Sequence, residues 1–344
     1  MNTKTFAQES RRNLLEAVSK KLHYWGFNED GSSSEQPQPI AGGYSFRGQV
    51  YDDPAVPKLW NSLKDAVNNH GVDVVIEKAA YTWFNRITAL RILSKNGYEQ
   101  AELEYVEGMT LTPQILQSAR QGKYAFLSKT EQERLQKIIT DYSKDQEAFA
   151  ILLIGFCHTH PTLKRVFGGI DDYTELLLPD NILQESGFLH LLNTTDAISD
   201  EEYQQVELIG WLYQFYISEK KDEVFASFKK NKKAEAKDIP AATQIFTPNW
   251  IVKYMVENTA GKIWLDKNPS SPIKNQMKYL VENEIDGESE AIISTVEDLT
   301  LIDPAAGSGH ILVEGFDLLY QMYMEEYYTP EEAVESILKN NLFG

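Results

Sequence analysis

The sequence predicts a mainly α N-terminal domain, residues 1–235, followed by the beginning of an α/β domain, residues 236–344. Apolar residues recur at helical spacing through most of the first part. A Lys-rich, weakly apolar stretch from Glu219 to Lys237 then separates the two parts. Beyond it, a short apolar run ends in a loop of small residues and an apolar helical pattern follows, which is typical of an open α/β sheet.

Helical patterns follow one another in the N-terminal part. They cover residues 4–25, 57–67, 74–93, 111–121, 129–142, 145–156 and 200–216. Residues 29–43 are rich in Gly, Ser, Pro and Gln and predict a loop. Trp83 and Phe84 favour core packing, with an aromatic platform for a ligand as the alternative.

Composition bounds the class of protein. The chain has 344 residues and a formal net charge of −18. Its single cysteine, Cys157, allows no intramolecular disulfide and fits a reducing cytoplasm. No signal peptide is evident, and the longest apolar run, Ala148 to Cys157, is too short to span a bilayer. We therefore expect a cytoplasmic protein with no membrane partner.

The motif Cys157-His158-Thr159-His160 has the residue types of a metal site. It lacks a second Cys or His pair at a suitable spacing. A helix C-terminus with a histidine cap is the favoured interpretation, and no metal ligand is assigned.

The loop of small residues has the features of a ligand-binding turn. Leu299 to Ile302 predicts a short buried strand, and Asp303 follows at its carboxyl end, where ligands bind in open α/β sheets. Gly307 and Gly309 allow positive φ and a close approach of the backbone. A phosphate-binding Walker loop is excluded because no Gly-Lys-Ser/Thr follows. The alternative is an ordinary strand-turn-helix with a tight glycine turn.

A second motif lies upstream, from Gln244 to Met255. Thr247 then Pro248 predicts a helix start, with Thr247 as N-cap and Pro248 at the first helical position. Unpaired N–H groups at a helix N-terminus favour an anion. A capped amphipathic helix without a ligand is the alternative.

The two motifs resemble those of a known enzyme family. Phe246-Thr247-Pro248 and Asp303-Pro304-Ala305-Ala306-Gly307-Ser308-Gly309 resemble the first two cofactor motifs of adenine-specific DNA amino-methyltransferases. Residues 244–264, 80–86 and 337–344 resemble the PglX-type methyltransferases of BREX phage-defence systems. The resemblance spans nearly the whole chain, and Ala306 stands where many relatives have Cys.

The resemblance implies a Rossmann-like class I domain that binds S-adenosyl-L-methionine (SAM). Asp303 would face the methionine amine, and the helix start at Thr247-Pro248 would hold the carboxylate. Residues 305–309 would let the backbone approach the cofactor, and His310 would close over it or cap the helix. The implied cofactor-binding residues are Phe246, Thr247, Pro248, Asp303, Pro304, Ala305, Ala306, Gly307, Ser308, Gly309 and His310.

The complete protein would transfer a methyl group to the exocyclic amine of adenine, in host DNA modification and phage defence. In the family, a second strand with an acidic residue follows, and then an Asn-Pro-Pro-aromatic catalytic motif. Asn268-Pro269-Ser270-Ser271 lacks the aromatic residue and precedes the cofactor strand, so it predicts a loop. No catalytic residue is assigned. We expect an N-terminal fragment that is inactive alone; the alternative is that another polypeptide completes the sheet.

The net negative charge of the chain indicates which partners it can bind. Duplex DNA is bound mainly through Lys and Arg contacts to phosphate, so a net charge of −18 places most DNA contacts in the missing C-terminal part. The acidic surface would repel non-specific DNA, face other defence-system proteins, or serve solubility alone. The basic stretch 219–237 has two interpretations. It is either a strip that contacts DNA, or a solvent-exposed helix end followed by a hinge. Two other functions stay open: a non-catalytic interaction module of a defence complex, and a SAM-dependent methyltransferase acting on RNA or protein.

Overall fold

The computed structural model describes residues 2–100, 102–167, 172–205, 207–228, 239, 243, 246–281, 292–307 and 309–344. The described chain is mainly helical, as predicted. It divides into two compact units, Met1–Gln205 with Phe215–Glu223 and Val206–Gln214 with Val224–Gly344. The predicted domain boundary after residue 235 lies outside the described residues, so the division into 1–235 and 236–344 stays a prediction.

Eleven helices are described before residue 229, and two of them, α10 and α11, contribute to both units. They are α1 (Thr3–Tyr24), α2 (Val56–His70), α3 (Val72–Lys95), α4 (Gln114–Arg120), α5 (Lys129–Ile138), α6 (Asp145–Thr159), α7 (Pro161–Phe167), α8 (Phe188–Thr194), α9 (Asp200–Tyr203), α10 (Glu207–Tyr216) and α11 (Ser218–Phe228). Single 3₁₀ turns cover Tyr142–Lys144 and Tyr173–Leu177. The single helix predicted for 200–216 is wrong, because α9 ends at Tyr203 and α10 begins at Glu207.

The core of the first unit contains the aromatic pair of α3. Trp83 is 0% exposed and Phe84 1%. The indole N–H of Trp83 donates to the Thr174 carbonyl at 3.0 Å. Core packing is therefore confirmed for both residues, and the ligand-platform interpretation is wrong.

A small antiparallel sheet replaces part of the predicted loop 29–43. Its strands are β1 (Gln38–Ile40), β2 (Gly43–Phe46) and β3 (Gln49–Tyr51), with β2 in the centre. Most strand residues are exposed or half-buried. The sequence therefore lacks the apolar alternation that predicts strands. Only Phe46 is buried, and its ring lies 5.1 Å from that of Trp25.

The histidines after Cys157 have structural roles. Helix α6 ends at Thr159, and the Nδ1 atom of His160 accepts a hydrogen bond from the Leu163 N–H at 3.2 Å. His160 therefore follows a helix C-terminus, as predicted, and caps the start of α7. Across the described ranges, no group of three or more His, Cys, Asp or Glu side chains is arranged to hold a metal ion. None of the helices described there has both the length and the apolar character that crossing a membrane requires.

The second unit contains a parallel two-stranded arrangement. Its elements after α11 are α12 (Asn249–Val256), α13 (Lys262–Lys267), β4 (Leu301–Ile302), α14 (His310–Glu325), α15 (Pro330–Ser336) and β5 (Leu342–Phe343), with π-helical turns at Glu257–Gly261 and Ile337–Asn341 and 3₁₀ turns at Pro272–Gln276 and Val296–Asp298. In the sheet, Leu301 lies opposite Leu342 and Ile302 opposite Phe343. Parallel strands need a long crossover, and α14 and α15 supply it here. The sequence analysis predicted one strand, at Leu299 to Ile302, and the described residues contain a second strand that begins at Leu342.

One hydrophobic cluster holds these elements together. Its buried members are Val252, Val256, Ala260, Trp264, Ile273, Met277, Ile293, Val296, Leu299, Leu318, Leu319, Met322, Tyr323, Ala333 and Ile337. The predicted loop at 268–271 packs beside this cluster. There Ser271 accepts a hydrogen bond from the Trp264 indole at 3.2 Å and donates to Glu325 at 2.6 Å. Because α12 and α14 share this cluster, the two sequence motifs at their starts come close together.

Candidate functional site

Asp303 lies at the carboxyl end of β4, as predicted. Its backbone N–H donates to the Phe343 carbonyl at 2.8 Å, so the parallel pairing continues up to the loop. Its carboxylate is buried and accepts a hydrogen bond from the Ala305 N–H at 3.0 Å. The side chain thus fixes the first turn of the loop and places a negative charge at the end of the strand.

The loop that follows has the backbone geometry that its glycines predict. Gly307 has φ of 57° and Gly309 of 78°, both in the left-handed region that favours glycine. Pro304, Ala305 and Gly307 are exposed, and Ala306 is half-buried. The predicted site residue Ser308 lies outside the described residues.

Helix α14 begins directly after this loop. Gly309 is its N-cap, and no side chain caps the first turn. The free N–H groups there favour an anion, because they carry the positive end of the helix dipole. The loop therefore combines an exposed backbone, an acidic side chain and an uncapped helix start.

The upstream motif starts a helix one residue later than predicted. Helix α12 begins at Asn249, its N-cap is Pro248, and no side chain caps it. Thr247 as N-cap is therefore wrong. The extended ψ of 142° at Pro248 is the reason, since that residue is still outside the helix. The first turn of α12 consequently offers N–H groups that no Thr247 hydroxyl occupies.

The two motifs meet at Phe246 and His310. Their rings are stacked, with centroids 4.8 Å apart and planes 4° from parallel. The amide nitrogen of Asn249 lies 3.4 Å from Nε2 of His310. The structure thus joins the start of α12 to the start of α14, beside the glycine loop.

Helix α10 adds two residues that sequence reasoning missed. Gly210 is buried against the ring of Phe246, and a Cβ built there would lie 1.9 Å from Cε2 of that ring. The Glu207 carboxylate lies 4.0 Å from Nε2 of His310. The available signal was an isolated glycine within the apolar helical run of α10.

The environment of His310 favours a neutral imidazole. The side chain is 7% exposed, and this burial lowers its pKa below the usual range. The Glu207 carboxylate and the backbone of Thr247 act in the opposite direction. In the neutral ring, Nε2 can accept a hydrogen bond from the amide nitrogen of Asn249.

The arrangement can hold a ligand that carries both an anionic and a cationic group. The uncapped starts of α12 and α14 suit the anion, and Asp303 suits the cation. The glycine loop allows such a ligand close to the backbone, and Phe246 with His310 forms an aromatic wall beside it.

Comparison with known proteins identifies the relatives. No family model matches the chain. The chain is 36% identical over its entire length to the adenine-specific methyltransferase BrxX of Escherichia coli O9:H4 (strain HS). It is 35% identical over 99% of its length to the adenine-specific methyltransferase PglX of Lacticaseibacillus casei (strain Zhang). The chain is homologous to adenine-specific methyltransferases. The resemblance to PglX-type proteins drawn from the motifs is thereby confirmed, and the chain spans 29% and 30% of the lengths of these two relatives.

Proposed function

We propose that the chain is the N-terminal part of a site-specific DNA adenine methyltransferase. The complete protein would transfer a methyl group from SAM to the exocyclic amine of adenine, in host DNA modification and phage defence of the BREX type. The single observation that carries the proposal is the stack of Phe246 on His310. It brings together two motifs distant in sequence, beside a glycine loop at the end of a parallel strand. The homology to BrxX and PglX supports the same activity.

The proposal assigns roles to the residues of the second unit, as the beginning of a Rossmann-like class I domain. The Asp303 carboxylate would bind the methionine amine of SAM, and the N–H groups after Pro248 would bind its carboxylate. Residues 305–309 would let the backbone approach the cofactor, and Phe246 with His310 would shield it from water. SAM supplies an electrophilic methyl group, and the chain contributes position and a water-poor surrounding.

Adenine in duplex DNA has to leave the base stack before its amine can react. We place most of the DNA contacts outside residues 1–344, because the net charge of −18 opposes phosphate binding here. The acidic surface is suited to other proteins of a defence system instead. We propose a cytoplasmic location, in keeping with one buried free cysteine.

The test is SAM binding by isothermal titration calorimetry, on this chain and on a version of the protein that extends beyond residue 344. We expect binding by the longer version. Gly307→Asp should abolish it by clash and repulsion, because the new side chain would stand in the exposed loop where the cofactor approaches the backbone. The matched control is Gly48→Asp, a turn glycine with φ of 78° and no atom within 4 Å of a built Cβ.

Three outcomes would contradict the proposal or part of it. Unchanged SAM affinity in Gly307→Asp would remove the glycine loop from the cofactor site. Absence of SAM binding in both forms would favour an interaction module of a defence complex. Binding followed by methylation of RNA or protein, and not of duplex DNA, would change the substrate class.

A further inference from the structure

We propose that Gly210 of helix α10 is a positioning residue for the methyl donor, because it leaves the space in which Phe246 stacks on His310. The inference rests on the proposed function and extends the cofactor site to a helix that precedes both cofactor motifs. Gly210 would not touch the donor itself. It would act through Phe246 and His310, which border the glycine loop.

The space at Gly210 is smaller than any side chain. A Cβ built on this residue would lie 1.9, 2.2 and 2.7 Å from the Cε2, Cδ2 and Cζ atoms of Phe246. Real Cβ atoms essentially never come within 3.0 Å of another heavy atom. Any residue other than glycine therefore requires the ring of Phe246 to move.

A displaced Phe246 ring would disturb its stack with His310. The ring centroids of Phe246 and His310 lie 4.8 Å apart, and the two planes are parallel to within 4°. His310 is buried, and its Nε2 atom has Asn249 at 3.4 Å and Glu207 at 4.0 Å. A displaced Phe246 would therefore change the contact that holds His310, and His310 directly follows Gly309 of the loop.

Helix stability by itself does not explain a glycine at this position. Gly210 lies inside α10, where alanine is the better helix former. The gain visible in the structure is the close approach of Phe246. Gly210 weakens α10 but makes room for the Phe246 ring. Such an exchange is expected where the position of the ring matters for function.

The first readout needs no donor. In this chain, with ¹³C-labelled histidine, the ring signal of His310 reports the ring current of Phe246. We expect Gly210→Ala to shift that signal, and Gly315→Ala to leave it unchanged. The Gly315 control suits the purpose because its built Cβ meets methyl carbons of Leu301 at 3.4 Å and of Leu342 at 3.5 Å, which are ordinary contacts.

The second readout is donor binding in the longer, SAM-binding version of the protein. Gly210→Ala should weaken SAM binding and raise the KM for SAM about tenfold, with kcat and the melting temperature little changed. In a Phe246→Leu background the same substitution should have little further effect, because the shorter side chain vacates the space. This cycle remains informative if Gly210→Ala alone folds poorly.

The outcomes separate the two claims. A shifted His310 signal with unchanged SAM affinity would overturn the positioning role and leave the proposed function standing. Additive losses from Gly210→Ala and Phe246→Leu would also overturn it. If the unsubstituted protein binds no SAM, the proposed function fails and the inference fails with it.

Discussion

Asn341 is a buried amide that ties the two parallel strands to their supports. It is 0% exposed. Its Nδ2 group donates to the carbonyls of Val296 at 3.0 Å and Leu299 at 2.7 Å. Its Oδ1 atom accepts from the Tyr323 hydroxyl at 2.8 Å. One side chain thereby joins the turn before β4, the core helix α14 and the residue before β5.

The cost of Asn341→Ala follows from these bonds. The Leu299 carbonyl would lose its side-chain donor, at about 1 to 2 kcal/mol. The Val296 carbonyl would lose less, because it still accepts from the Leu299 N–H at 3.2 Å. The Tyr323 hydroxyl would lose less, because Ser336 Oγ remains 2.8 Å away. We expect a loss of about 3 kcal/mol in the stability of the β4–β5 region. The neighbouring Asn340→Ala is the control: Asn340 is exposed and bonds only Ser336 at 3.2 Å among the described residues, so about 0.5 kcal/mol or less is expected.

Native-state hydrogen exchange measures this effect locally, which avoids assuming two-state unfolding for a chain of two units. The informative amide is Asp303 N–H, which donates to the Phe343 carbonyl. Its protection should fall roughly a hundredfold in Asn341→Ala and stay nearly unchanged in Asn340→Ala. Equal protection in the two variants would refute the reasoning that Asn341 holds the strands together.

Two further predictions concern the first unit. His158 lies between Glu131 and Glu175, whose carboxylates raise its pKa to about 9. Its stabilising contribution, about 1 kcal/mol after solvent screening, is full below pH 6.5 and is lost as the pH rises through 9. The melting temperature should therefore fall over this pH interval. The part of the fall that is due to His158 should disappear in His158→Gln and remain in His23→Gln. If His158→Gln leaves the dependence of the melting temperature on pH unchanged, the assignment is contradicted. Trp83→Phe removes the buried donor to the Thr174 carbonyl, and urea unfolding followed by circular dichroism should show a loss of about 2 kcal/mol. The control is Trp250→Phe, at a residue that is 56% exposed, which should lower the free energy of unfolding by less than about 0.5 kcal/mol. Equal losses of stability in Trp83→Phe and Trp250→Phe would be evidence against this reasoning.

Local sequence patterns predict the start of a helix only to within about one residue. Thr247-Pro248 predicted a threonine N-cap, and the proline is the N-cap instead. Pro113 is likewise the N-cap of α4. The fixed φ of proline suits the N-cap and the first helical position alike. Only ψ separates the two, and the packing of the helix onto its neighbours decides that angle.

Local sequence patterns also predict some strands of this protein and miss others. The strand predicted for Leu299 to Ile302 is present as β4, because an apolar run followed by Asp-Pro and glycines is a local signal. It covers only Leu301–Ile302, and the predicted burial is wrong, because Ile302 is 72% exposed. The sheet β1–β3 escaped prediction because its residues are mostly exposed and its strands are joined by glycine turns. Strand β5 escaped because two residues carry no periodicity, and its pairing depends on β4 being beside it.

The sequence by itself determined the mainly helical class, the relatives' family and the turn from Asp303 to Gly309, since each depends on residue types that are close together in the chain. Tertiary structure alone decided that Phe246 stacks on His310 and that Gly210 and Glu207 of α10 lie beside them. The physical reason is that side-chain contacts between distant segments are set by how the helices pack. That packing depends on the whole hydrophobic cluster, and no local motif encodes it.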